Sequence, residues 1–158
     1  MYQQNEIVSY GIHGVCRITD TEVRSAKGVK TEYLVLQPLD QPGTRFYIPT
    51  KNEAALAKLR PAVTGDQVMD IIRSAQVAKD PWIADENKRK LYYKDLISSG
   101  DTVALLSMAR SISARREAQS KLHMCDENFL KDAEKLLVSE LSLASGIAPE
   151  EMRRTLYI

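Results

Sequence analysis

The chain has 158 residues, 44% of them hydrophobic and 27% charged, with 22 Lys and Arg against 21 Asp and Glu. That balance excludes a disordered chain and suits one compact domain or two small ones. No apolar stretch runs beyond about four residues, far short of the ~20 that a membrane-crossing helix needs.

The opening Met1–Gly11 segment carries no basic region ahead of an apolar block, so no secretion signal is expected and the chain reads as cytoplasmic. Glu6–Tyr10 and Val15–Thr19 read as strands around Gly11-Ile12-His13-Gly14, whose glycines suit a tight reversal. Thr21–Arg24 follows, then a turn at Ala26-Lys27-Gly28, and then Thr31–Leu36, rich in β-branched and aromatic residues. Asp40-Gln41-Pro42-Gly43 is a turn. Arg45–Ile48 is the last strand, stopped by Pro49, which cannot donate to a ladder. Four or five short strands at this spacing predict a small, bent sheet or partial barrel.

From about Asn52 the pattern turns helical. Thr64 or Asp66 caps a helix bearing Val68, Ile71 and Ile72 on one face. Ala78–Pro81 is a break, and a helix from about Trp82 or Ala84 runs to Ile97, ending at Gly100. Asp101 caps the next, with Val103, Leu105, Leu106, Ala109 and Ile112 facing inward. Asp126 is expected to cap a further helix carrying Phe129, Leu130, Ala133, Leu136, Leu137 and Leu141. A short helix follows Pro149. The fold class is therefore α+β, a β module at residues 1–52 and a bundle of four or five helices at 53–158.

Charge is uneven along this layout. Residues 1–85 hold 10 Lys and Arg against 10 Asp and Glu; residues 86–122 hold 8 against 4; residues 123–158 hold 4 against 7. A phosphate-facing surface belongs in the middle stretch. Lys88, Arg89, Lys90, Arg110, Arg115, Arg116 and Lys121 supply it.

Catalytic chemistry finds little to stand on. The two histidines, His13 and His123, lie in a glycine turn and a polar loop, and no metal-protease helix, phosphate loop or nucleophile elbow is present. Cys16 and Cys125 match no ligand spacing and read as free thiols in a reducing compartment. No enzyme activity, cofactor or metal is expected. Trp82, the single tryptophan, stands ahead of Lys88-Arg89-Lys90. One reading makes it a staple against Leu91 or a neighbouring helix. The other makes it an apolar wedge beside cations, the device by which minor-groove binders pry at a base step. In the β module, Tyr33, Phe46 and Tyr47 with Arg17, Arg24 and Arg45 suggest a protein-docking face. Tyr33 and Phe46 are expected in the core and Arg24 and Tyr47 outside.

Several stretches carry a family resemblance. Asn5–Val15 (NEIVSYGIHGV), Lys30–Leu36 (KTEYLVL) and Phe46–Pro49 (FYIP) resemble the N-terminal module of CarD/CdnL transcription regulators, shared with the transcription-repair coupling factor. Trp82, Arg89, Leu96–Asp101 (LISSGD), the Arg110 region and Glu127–Leu141 resemble the family's helical domain. The resemblance implies a Tudor-like module that binds the RNA polymerase β subunit, and helices that touch promoter DNA without sequence specificity and stabilise the open complex. Its tryptophan wedge falls on Trp82, with Lys88, Arg89 and Lys90 beside it; on the residues themselves, Arg110, Arg115 and Arg116 extend that surface. Its polymerase-contacting positions fall on Arg24 and, just before the Ile-Pro pair, on Tyr47; Arg45 lies beside them. A basic residue of some members is here Glu127 or Asn128, so DNA binding by the chain alone is expected to be weak. A monomer, associated with the nucleoid through polymerase and without membrane contact, is the implied form. A polymerase- or protein-binding adaptor without productive DNA contact is the alternative, and a thiol- or metal-dependent enzyme or sensor on Cys16, Cys125 and His123 is a third reading.

Overall fold

Alternating side chains and two tight reversals build the N-terminal part of the chain into a sheet. The computed structural model describes residues 2–119 and 122–158, which fall into two compact units, one ending at Ala62 and the next running from Val63 to Ile158. In the first, β1 (Ile7–Tyr10), β2 (Val15–Ala26), β3 (Val29–Pro38), β4 (Phe46–Pro49) and β5 (Leu59–Pro61) form one antiparallel sheet in the order β4-β3-β2-β1-β5. Val8, Cys16, Ile18, Leu34, Leu36, Ile48 and Leu59 make its core.

The two expected strands at 15–19 and 21–24 are one. Between the pairs Ile18↔Leu36 and Asp20↔Val35 the register slips, a bulge at Thr19 that bends β2 without ending it. Ahead of the bulge β2 covers the core; beyond it, the residues are half-buried or exposed. Lys27 (φ 51) and Gly28 (φ 77) both take positive φ in the two-residue link to β3, the turn whose twist matches that of paired strands.

The change to helix at Asn52 is brief. Asn52 Oδ1 accepts the Ala55 N–H at 3.1 Å and starts α1 (Glu53–Leu56), after which β5 returns the chain to the sheet beside β1. The first unit therefore ends at Ala62 rather than at residue 52, and residues 53–62 leave the helical unit. A three-residue strand shows almost no alternation to read, and Pro61 is tolerated because β5 lies at the edge of the sheet.

The second unit contains α2 (Val68–Val77), α3 (Glu86–Ser99), α4 (Thr102–Gln119), α5 (Met124–Ser145) and α6 (Pro149–Thr155). Gly65 opens it where a Cβ would come within 2.8 Å of the Ala144 carbonyl oxygen, so no side chain fits without moving backbone. Helix α4 lies deepest: Leu105, Leu106, Met108, Ala109 and Ile112 are buried together with Ser107, Ser111 and Ser113. Around it pack Val68 and Ile72 of α2, Tyr93 of α3, Leu137 and Leu141 of α5, and Met152 of α6. Asp101 Oδ1 accepts the Ala104 N–H at 3.0 Å, the cap that sequence predicts for α4.

Two helix starts differ from expectation. Asp85 Oδ1 accepts the Lys88 N–H at 3.1 Å, so α3 begins at Glu86 and Trp82 lies in the segment ahead of it. Helix α5 begins at Met124, which places Asp126 inside its first turn, where it is buried.

Candidate functional site

Asp80 organises the segment that carries Trp82. Its Oδ1 accepts the Trp82 N–H at 3.0 Å and the Ser111 hydroxyl at 2.5 Å, and its Oδ2 meets Arg115 Nη2 at 3.3 Å. The Ser111 donation, with the Trp82 N–H and the Arg115 charge behind it, holds this carboxyl below the usual range. The half-buried Trp82 indole lies under two guanidiniums, Arg89 Cζ at 4.1 Å and Arg115 Cζ at 4.0 Å from the ring centroid. Both distances fall within the range of cation–π attraction.

The two arginines differ below the ring. Arg89, only 3% exposed, donates through Nε and Nη2 to both oxygens of the buried Asp126 at 3.0 and 2.8 Å, and through Nη1 to the Ile83 carbonyl at 2.9 Å. Its donation to Asp126 raises its already high pKa. Arg89, expected at phosphates, is thus turned inward: each of its three nitrogens donates to an acceptor inside the protein. Asp126, expected as a helix cap, is the counter-charge instead. Leu91 is 68% exposed, and the ring contacts of Trp82 are the arginines of α3 and α4.

Of the remaining cations, Lys88 and Arg116 are exposed. Lys90 Nζ pairs with Glu86 Oε1 at 3.4 Å along α3 and pulls the Glu86 carboxyl down. Arg110 turns inward through Nη1, to the carbonyls of Leu156 at 2.7 Å and Ile158 at 3.0 Å, and ties α4 to the last turn of the chain. Lys121 lies outside the described residues. A recess of about 450 Å³, lined among others by Trp82, Glu86, Arg89 and His123, opens beside the indole.

In the first unit, Arg24 lies over the Tyr47 ring at 4.1 Å and pairs with Glu22 at 3.2 Å. Tyr47, 40% exposed, stands edge-on to the half-buried Tyr33 with centroids 6.4 Å apart. Phe46 is half-buried, against Tyr10 and His13. Arg45 is exposed and folds back on its own turn, donating to the Pro42 and Thr44 carbonyls at 2.7 and 2.9 Å.

Compared with known families, residues 2–63 match the CarD-like/TRCF RID domain and residues 67–157 match the CarD C-terminal domain. The chain belongs to the CarD family. It is thus a transcription-related regulator that interacts with RNA polymerase, in a family of non-enzymatic, cytoplasmic transcription factors. The two family matches meet between residues 63 and 67, next to the division of the structure after Ala62.

Both thiols of this CarD-family chain are free. Cys16 is fully buried in the sheet, and burial, helped by Asp40, pushes its pKa from 9.0 up to about 11. Cys125 Sγ contacts Glu86 Oε1 at 3.7 Å. Among the described residues, no cluster of three or more His, Cys, Asp or Glu is placed to hold a metal. None of the described helices is long and apolar enough to cross a membrane. The Cys16 environment has a measurable consequence. Between pH 9.0 and about 11 an unfolded Cys16 ionises while the folded one keeps its proton, so stability present below pH 9.0 is lost as pH rises through that window. Cys16→Ala is expected to flatten the fall, read as thermal midpoint of the first unit against pH; an unchanged slope would place the titration elsewhere.

What sequence missed here is carboxylates. Asp80 was legible only as part of a break before Pro81, and Asp126 only as a cap. The Asp-Pro-Trp run was the available signal, since an Asp two residues ahead of a backbone N–H readily folds back on it.

Proposed function

We propose that this chain tethers itself to the RNA polymerase β subunit through the Arg24–Tyr47 face and stabilises the promoter open complex through minor-groove contact by Trp82. The observation that carries the reading is a half-buried indole lying under two guanidiniums, on a segment whose Trp82 backbone N–H is held by Asp80, at the edge of an open recess. An aromatic held in place before contact loses little freedom on meeting DNA. Lys88, Lys90, Arg115 and Arg116 supply the phosphate contacts, with Arg110 a lesser contributor because its Nη1 serves the last turn. So few contacts give weak binding to DNA alone. The tether offsets this by raising the local concentration of the helical unit, and no second copy of the chain is needed.

Only a difference in affinity between opened and closed DNA shifts the equilibrium; a preference of ~1.4 kcal/mol amounts to about tenfold. The protein associates with the nucleoid to the extent that polymerase does. The test is the lifetime of open complexes on a ribosomal RNA-type promoter with cognate polymerase. The wild-type chain is expected to lengthen it, and Trp82→Ala to remove that effect while polymerase binding survives. If both proteins bind polymerase and neither alters the lifetime, the chain is an adaptor.

A further inference from the structure

Two arginines cover Trp82 at nearly equal distance, yet only one of them can leave. Arg89 is locked: 3% exposed, with Nε, Nη1 and Nη2 all donating to acceptors inside the unit. Arg115 is held, beyond its stack on the ring, by a single ion pair, Nη2 to Asp80 Oδ2 at 3.3 Å, with side-chain exposures of 30% and 58%. Its Nε–H is shielded from solvent and meets no acceptor among the described residues. A guanidinium with an unsatisfied donor and one long, solvent-accessible ion pair gains by trading that pair for an anion that accepts two hydrogen bonds. A backbone phosphate diester is such an anion, whereas a lone carboxylate already bound elsewhere is not. Asp80 itself tolerates the exchange, because its Oδ1 stays with Ser111 and the Trp82 N–H when Oδ2 is released.

We propose that Arg115 is an exchangeable cover for Trp82, held by Asp80 in the free protein and transferred to a DNA backbone phosphate when the helical unit meets promoter DNA. Arg115 is thus a positioning residue: phosphate contact and exposure of the indole become one event. Arg89 stays in place as the fixed support of the ring. The free protein keeps its one tryptophan partly covered, and duplex contact uncovers it next to the strand it is to probe. This inference rests on the reading that the helical unit touches DNA through Trp82, but its first half concerns the free protein alone.

The test uses the full chain and the emission of Trp82, the only tryptophan. Acrylamide quenching is measured for wild type, Arg115→Gln and Asp80→Asn, with thermal midpoints to show that each is folded. Both substitutions are expected to raise the quenching constant, Arg115→Gln by removing the cover and Asp80→Asn by releasing it; Asn keeps an oxygen for Ser111 and the Trp82 N–H. Quenching unchanged in both overturns the cover. Binding to a duplex–single-strand fork at low salt is then measured. Asp80→Asn is expected to tighten it by roughly two- to fivefold, since no carboxylate has to be given up. Arg115→Gln is expected to weaken it and to lower the salt slope by about 0.9, the share of one phosphate. If neither affinity nor slope moves, the transfer is wrong. Failure of the underlying reading looks different: Trp82→Ala then leaves the open-complex lifetime at the wild-type value, whatever the quenching shows.

Discussion

Replacing Asp126 by Ala is expected to lower the stability of the second unit by about 3–5 kcal/mol, the usual cost of removing one partner from a buried ion pair. Asp126 and Arg89 are 1% and 3% exposed and share two hydrogen bonds, at 3.0 and 2.8 Å. Without the carboxylate the guanidinium stays charged, because arginine does not release its proton at any relevant pH. It must then remain buried without a counter-charge or tear out of the unit, and leaving would take one of the two cations off Trp82. Denaturant unfolding followed by Trp82 emission reports on this unit specifically, since no other tryptophan is present. A loss below about 1 kcal/mol, the range of exposed pairs, would mean that water reaches the pair. The double substitution Arg89→Met with Asp126→Leu is expected to recover most of the loss, because an apolar pair of similar volume carries no desolvation cost.

Arg24→Glu is expected to weaken binding to RNA polymerase by at least about 30-fold, the effect of losing an interface anchor. Arg24 extends over the exposed Tyr47 ring at 4.1 Å, and Tyr47 in turn braces Tyr33. An arginine stacked on tyrosine is already ordered before docking, so little side-chain freedom is lost on binding. Charge reversal removes the stack and sets a second carboxylate beside Glu22, now the ion-pair partner of Arg24. Tyr47→Ala is expected to cost less, since it removes the platform and leaves the charge. Isothermal titration against polymerase or its isolated β lobe distinguishes these. An affinity unchanged by Arg24→Glu would move the docking face towards Arg45 and the turn it holds.

Much of this architecture was legible because it rests on local signals. Asp101 caps α4 and Pro149 opens α6 as their side chains dictate. The α+β division follows from a change in hydrophobic period. β5 was not legible, since its three residues owe their conformation to β1 and not to their own sequence. Similar limits apply at the site. Arg89 and Lys88 look alike in sequence, one residue apart on a cationic run. About 100° of helix rotation separates neighbouring residues, so one faces Asp126 in the interior and the other faces solvent. Only the partner, 37 residues later in the chain, decides which is which. Tyr33 and Phe46 were expected in the core and lie at its margin, Phe46 packed against the sheet core and Tyr33 edge-on to the exposed Tyr47.

The bulge at Thr19 leaves the molecule with an obligation of another kind. Beyond it, β2 and β3 continue as a two-stranded ribbon, from Thr21–Ala26 against Val29–Leu34. β1, which pairs as far as Arg17, leaves the β2 rim of the ribbon open, and β4 covers the β3 rim only at Tyr33 and Leu34. Two long open strand rims with Val23 and Val29 exposed on them would invite other chains to add on, the first step towards aggregation. Glu22, Arg24, Lys27, Lys30 and Glu32 stand along the same ribbon, and an incoming strand would have to strip water from them. The charges on the ribbon therefore raise the cost of strand addition along it, independently of any partner they also serve.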